Sequence, residues 1–393
     1  MSEVPSPFGG SGFFGNLLGD MLKLLQSAGP VHWQWAAQMA NGVATGGNPE
    51  PNVDPTERIR LEELARVADL HVADATGLST SSAGTVGVLP VGRGEWARRT
   101  LENWRPLLDS LAHSLSSGDP PNAPSVSQAE SPVGPDLAKL MEAIGPTLLG
   151  MQFGATAGHL AERAMGQYEL PIPRPVSDQV VVVPANIAAF ASDWSLPPDD
   201  VRLWVCLSEI THHAILGRAH VRARLEELLS AYVSGFQPDP TTLEDRLSGI
   251  DPTDPSSFEA ALGDPTALLG DMRTPEQTRA LSQLNALTAV IEGHVDHVMD
   301  TVGQRLLGSY GSLSEAFRRR RVERGQGERF AERLFGLDLD QAQFDRGNAF
   351  VDGVLERAGS DGLNSLWTVP ENLPTPAEVD APGLWLARIG LTS

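Results

Sequence analysis

Residues 207–216 read LSEITHHAIL. Glu209 and His212 stand three positions apart there, and residues at that spacing share a face of a helix. They match the second half of the His-Glu-x-x-His arrangement. In it two histidines at i and i+4 grip zinc, and the glutamate takes a proton from the metal-bound water. Position 208, where that arrangement places its first histidine, is serine. A neutral hydroxyl is a poor zinc ligand, and a hydrolytic zinc site wants about three protein ligands plus one open position. Glu-x-x-His by itself arises often by chance, so a metal reading needs a second element.

The stretch NALTAVIEGHVDHVMD (285–300) supplies one, with Glu292, His294, Asp296, His297 and Asp300 set in an otherwise apolar helix. Glu292 and Asp296 are at i and i+4, on one face. Buried carboxylates are costly unless paired or metal-bound. A glutamate ligand, with an aspartate one turn on that orients a ligand histidine from behind, is a sensible metal arrangement. The competing reading is an exposed polar stripe opposite an apolar face. Other histidines fit less well. His213 lies roughly 100° around the helix from His212, and His297 about 140° from Glu292. His294 falls nearly opposite Glu292. His220 and Glu226 reach the His212 face only if the helix continues through Gly217. A serine nucleophile at Ser208 is disfavoured, because mid-helix backbone offers no oxyanion donors.

These residues need elements to hold them. Residues 201–216 read as a buried helix introduced by SLPPDD, and 285–300 as a second apolar helix. QVVVVP (179–184) is the clearest strand candidate, a β-branched run ended by proline. Helices are expected at 13–40, from Thr56 onward, at about 95–115, and over 137–168 with an interruption near Gly145 and Pro146. Residues 1–12 read as loose, 41–55 as turn-rich, 116–136 as a linker and 237–278 as a long loop with short helices. The organisation expected is an N-terminal segment over 1–55, with one amphipathic helix and a flexible linker, followed by a larger domain over 56–393. Within that domain 179–300 is the metal-helix region and 301–393 a C-terminal helical part.

The 393 residues carry a net charge of −21, which disfavours nucleic acid and anionic membrane surfaces. Lysine occurs only at 23 and 139. One cysteine, Cys206, sits in an apolar run, so no disulfide forms within the chain and the thiol reads as inert. No secretory signal is evident and no apolar stretch spans a bilayer, so a cytoplasmic protein is expected. Gly154 and Gly158 form G-x-x-x-G, read here as close packing of helices rather than a membrane dimer. No nucleotide-binding glycine loop is present. The arginine run at 318–321 reads as solvated or acid-paired.

The chain also resembles a zincin-like hydrolase family of actinobacteria, whose members are labelled zinc-dependent metalloproteases or proteins associated with coenzyme F420 biosynthesis. The resemblance covers most of the chain. PFG (7–9), RLWVCLSEITH (202–212), LTAVIEGHVDHVMD (287–300), FRRRRVERGQGERFAERLFGLDLDQAQFDRGNAFVDGV (317–354) and LWTVPENLPTPAEVDAPGLWLARI (366–389) carry it. It implies a mainly α, α+β zincin-like fold, helices around a small sheet, with the metal helix beneath the edge strand. It also implies Glu209 as general base, His212 and Glu292 as zinc ligands, and Asp296 as the group supporting Glu292. Ser208 departs from the pattern at the first ligand. Zinc would be the cofactor, and a peptide or protein the substrate or partner. The functional expectation is a zinc-dependent peptidase with an altered first ligand, or a catalytically inactive binding or scaffold protein on the same fold.

Overall fold

The computed structural model describes residues 29–82, 84–116, 135–236 and 273–391. The loose start at 1–12, the first part of the helix expected at 13–40, and most of the segments 116–136 and 237–278 lie outside these residues.

The chain is mainly helical. Helix α1 (Trp33–Thr45) ends at Gly46, whose φ of 59° makes the left-handed cap that glycine favours. It therefore runs on through 41–45, which composition alone assigns to a turn. Its buried Ala36, Ala40 and Ala44 pack on α4 (Pro135–Ala161). A Cβ at Gly154 would stand 2.3 Å from the Ala36 carbonyl oxygen, and one at Gly158 would stand 2.6 Å from Val43 Cβ. The G-x-x-x-G is thus a groove for another helix. Contrary to the expected interruption, α4 continues through Pro146, whose carbonyl accepts from His32 N at 2.9 Å. Packing against α1 offsets the roughly 3 kcal/mol that an interior proline costs.

Helix α2 (Pro55–Thr76) is capped by Asp54, which accepts from Thr56 N at 2.8 Å. Strand β1 (Gly87–Pro90) and helix α3 (Arg93–Ser116) follow. Strand β2 (Gln179–Val182) is the QVVV run expected from sequence. It pairs in parallel with β1, Gly87 opposite Gln179 through Pro90 opposite Val182. On its other side an antiparallel bridge joins Val182 to Gly166. The small sheet thus carries the segment 166–168 along one edge, and α5 (Pro184–Asp193) leaves its far end.

Two helices carry the candidate site residues singled out above. Helix α6 (Pro198–Leu216) is buried along nearly its whole length from Val201 onward, its polar Glu209, Thr211, His212 and His213 included. It stops at Leu216, and α7 (Ala219–Val233) starts afresh, so His220 and Glu226 do not continue the His212 face. Helix α8 (Pro275–Leu306) extends a full turn or more beyond 285–300 at each end. Thr274 and Gln277 cap it reciprocally, with bonds of 3.1 and 2.9 Å. Helix α9 (Tyr310–Val322) reaches it through Arg321, α10 (Gln326–Phe335) packs on α4 and α7, and α11 (Gln341–Ser365) packs along it, followed by short α12 (Pro376–Val379) and α13 (Pro382–Arg388). Helices α8 and α11 cross where a Cβ on Gly347 would lie 1.9 Å from the Ala289 carbonyl oxygen. Only glycine permits that approach, and α8 also packs against α6. Trp96, Trp104, Trp367 and Trp385 lie buried in one continuous core. Among the described residues no helix is long and apolar enough to cross a membrane.

Candidate active site

The imidazole of His212 on α6 meets the carboxylate of Glu292 on α8, Nε2 to Oε1 at 3.3 Å. Its Nδ1 lies 2.9 Å from the Ser208 carbonyl oxygen one turn back. Both ring nitrogens therefore face acceptors, an arrangement that suits a ring holding both protons. Burial opposes that charge, but the adjacent Glu292 carboxylate raises the His212 pKa above the usual imidazole value.

Glu209 points to the sheet side. Its Oε2 accepts from Tyr168 N at 3.0 Å, so the edge segment holds it in place. A Cβ on Gly166 would come 2.1 Å from Glu209 Cδ, so that glycine makes room for the carboxyl. Burial pushes the Glu209 carboxyl up to about 7, against the pull of His212. The Tyr168 ring stacks on His212 at 5.8 Å and 18°, and its hydroxyl lies 2.9 Å from His213 Nδ1. His213 is held by that hydroxyl and is not among the residues lining the cavity beside His212.

Ser208, Glu209, His212 and Glu292 line one cavity of about 130 Å³. Its apolar wall includes Trp204 and Phe317, stacked at 4.9 Å and 9°. Its other wall is cationic and comes from the end of α9. Arg320 pairs with Glu169 at 2.6 Å, and Arg324 pairs with Glu332. Arg321 grips Asp296 with two bonds of 2.9 and 2.6 Å. Arg318 and Arg319 turn outward onto Glu315. The arginine run is therefore acid-paired. Sequence reasoning did not place three of these guanidinium-bearing side chains at the cavity. Helical spacing could not have marked them, since 320 and 321 differ by about 100° in direction and Arg324 lies past the end of α9.

The remaining candidates lie elsewhere. Asp296 was expected to support the Glu292 position from behind; its carboxylate instead engages Arg321. His294 is buried and accepts from Trp367 Nε1 at 3.0 Å, and burial drives its pKa down to about 3. Cys206 is fully buried, with its thiol pushed up to about 12 by burial.

The donor set can be weighed against zinc. His212 Nε2 and Glu292 offer two donors at one point, and the first ligand position on α6 is held by Ser208. Among the described residues no group of three or more His, Cys, Asp or Glu side chains is placed to hold a metal ion. The residues present fall one ligand short of a tight zinc centre.

Comparison with known proteins bears on this geometry. A family model described as zincin-like metallopeptidase matches residues 31–386. A crystal structure from Chloroflexus aurantiacus, described as a "putative hydrolase with a novel fold", superposes with a TM-score of 0.61 at 25% identity, covering 92% of this chain and 100% of that one. No protein with a curated description matches the chain.

Proposed function

Because the chain belongs to the zincin-like metallopeptidase family, we propose that its cleft receives a peptide segment of a substrate or partner, and that Ser208 has turned a hydrolytic centre into a binding site without tightly held zinc. The carrying observation is the direct contact of His212 with Glu292, 3.3 Å apart, below a serine in the first ligand position. Loss of one ligand in three removes several kcal/mol from a zinc affinity of ~10 kcal/mol or more. The cavity itself suits a peptide: an aromatic wall for a side chain, with a few polar groups converging on its floor.

Elemental analysis of the purified chain and of a Ser208→His variant tests this. The expected outcome is well under one zinc per unmodified chain and close to one in the variant. Stoichiometric zinc in the unmodified chain sinks the reading, and zinc in neither form removes the site assignment itself.

A second reading, a metallohydrolase with weak or rearranged zinc, draws on Glu209. A carboxyl held at about 7 is poised as a general base at neutral pH. That reading requires zinc-stimulated peptide cleavage that Glu209→Gln abolishes.

A further inference from the structure

Glu292 and Asp296 stand one turn apart on α8, and like charges at that spacing repel. Carboxylates removed from water need a positive partner. A divalent ion is one solution; in this chain His212 already sits 3.3 Å from Glu292, and an arginine serves Asp296. Arg321 reaches from the last turn of α9 and binds both oxygens of Asp296. Its guanidinium carbon lies 4.2 Å from the Phe344 ring centroid, so the fork is fixed in its plane by a carboxylate and on its face by a ring. The side chain keeps 31% of its surface exposed and borders the same cavity as His212 and Glu292. Burial works against its charge; Asp296 first and then Glu292 more than restore it.

We propose that Arg321 is the resident cation of the Asp296 half of this site: clamped on Asp296 and laid along Phe344, it adds to the His212 contact on Glu292 a positive charge that a divalent ion would otherwise bring, so the acidic face of α8 is stable without metal. The inference rests on the reading of the cleft as one without tight zinc, and deepens it. It also gives Arg321 a direction of effect. A fixed positive charge beside the ligand carboxylate opposes an incoming cation.

The experiment uses the full chain, with Arg321→Gln and Arg321→Lys made separately in the unmodified and the Ser208→His backgrounds. Thermal midpoints are read with and without zinc chloride, and zinc affinity by competition with a chromophoric chelator. Arg321→Gln should lower the metal-free midpoint, and added zinc should recover part of the loss. In the Ser208→His background it should tighten zinc binding by at least about tenfold, the size expected from removing one nearby like charge. Arg321→Lys keeps the charge without the fork, and should hold zinc affinity within about twofold of its parent. Unchanged zinc affinity in Arg321→Gln overturns the proposal, and so does equal tightening in both variants. A midpoint that neither falls nor becomes zinc-sensitive overturns it as well. If Arg321→Gln does not fold with or without zinc, Arg321→Lys decides: tightened zinc binding despite the retained charge overturns the proposal, and unchanged binding supports it. Stoichiometric zinc in the unmodified chain fails the underlying reading, and is seen before any Arg321 variant is made.

Discussion

A glutamate that ionises near neutrality couples the fold to pH through one proton. The Glu209 carboxyl moves from an ordinary value of 4.5 up to about 7 because it is buried. Between those values the folded chain holds a proton that the unfolded chain has released. Stability from this group is therefore full below about 4.5, falls as pH rises, and is lost above about 7. With Glu209 only 6% exposed, the span is up to about 3 kcal/mol. Glu209→Gln should flatten this slope, so urea midpoints at pH 5 and pH 8 should differ less in the variant than in the parent. Equal slopes would mean that Glu209 is not the group responsible. At this scale the sequence was informative about type and weak about direction. Glu209, His212 and Glu292 could be singled out from helical spacing, and the fold brings His212 and Glu292 into contact. That Asp296 turns to Arg321 was not legible, because spacing along a helix says nothing about which neighbouring element lies across from it.

At the scale of elements, glycines do the positioning. Gly347→Ala would place a methyl group against the Ala289 backbone at the α8–α11 crossing. Overpacking of that kind costs typically about 1–3 kcal/mol, so calorimetry should show a midpoint lowered by several degrees. Gly166→Ala makes a sharper test, since its methyl group would overlap the Glu209 carboxyl. It should displace Glu209 from the Tyr168 amide, and the pH-dependent stability described above should shrink as it does in Glu209→Gln. An unchanged pH slope in Gly166→Ala would show that the segment 166–168 does not seat the carboxyl. The long helices were readable from periodicity, with α2 expected to open near Thr56, but their caps at Asp54 and Thr274 were not singled out. Strand β1 was not, because GVLP is four residues long and ends in proline. It exists through its pairing with β2, 92 positions later, which no local pattern records. Proline 146 misled for the opposite reason. Its local preference is real, but the packing of α4 against α1 overrides it.

The whole molecule carries −21 charges, and self-repulsion of that size weakens the compact state. Raising ionic strength from about 10 to 150 mM, where the screening length shrinks to about 8 Å, should raise the thermal midpoint. A midpoint independent of salt would show that the paired arginines and carboxylates already neutralise the field locally. The contact between His212 and Glu292 also spans 80 residues of chain. During synthesis at ~5–20 residues per second, α6 emerges about 4 to 16 seconds before its partner on α8. This largely buried helix thus leaves the ribosome well ahead of the surface that covers it. Its protection over that interval falls to the sheet, to α2 and to α5, or to a chaperone, and the cleft takes shape only as the later helices arrive.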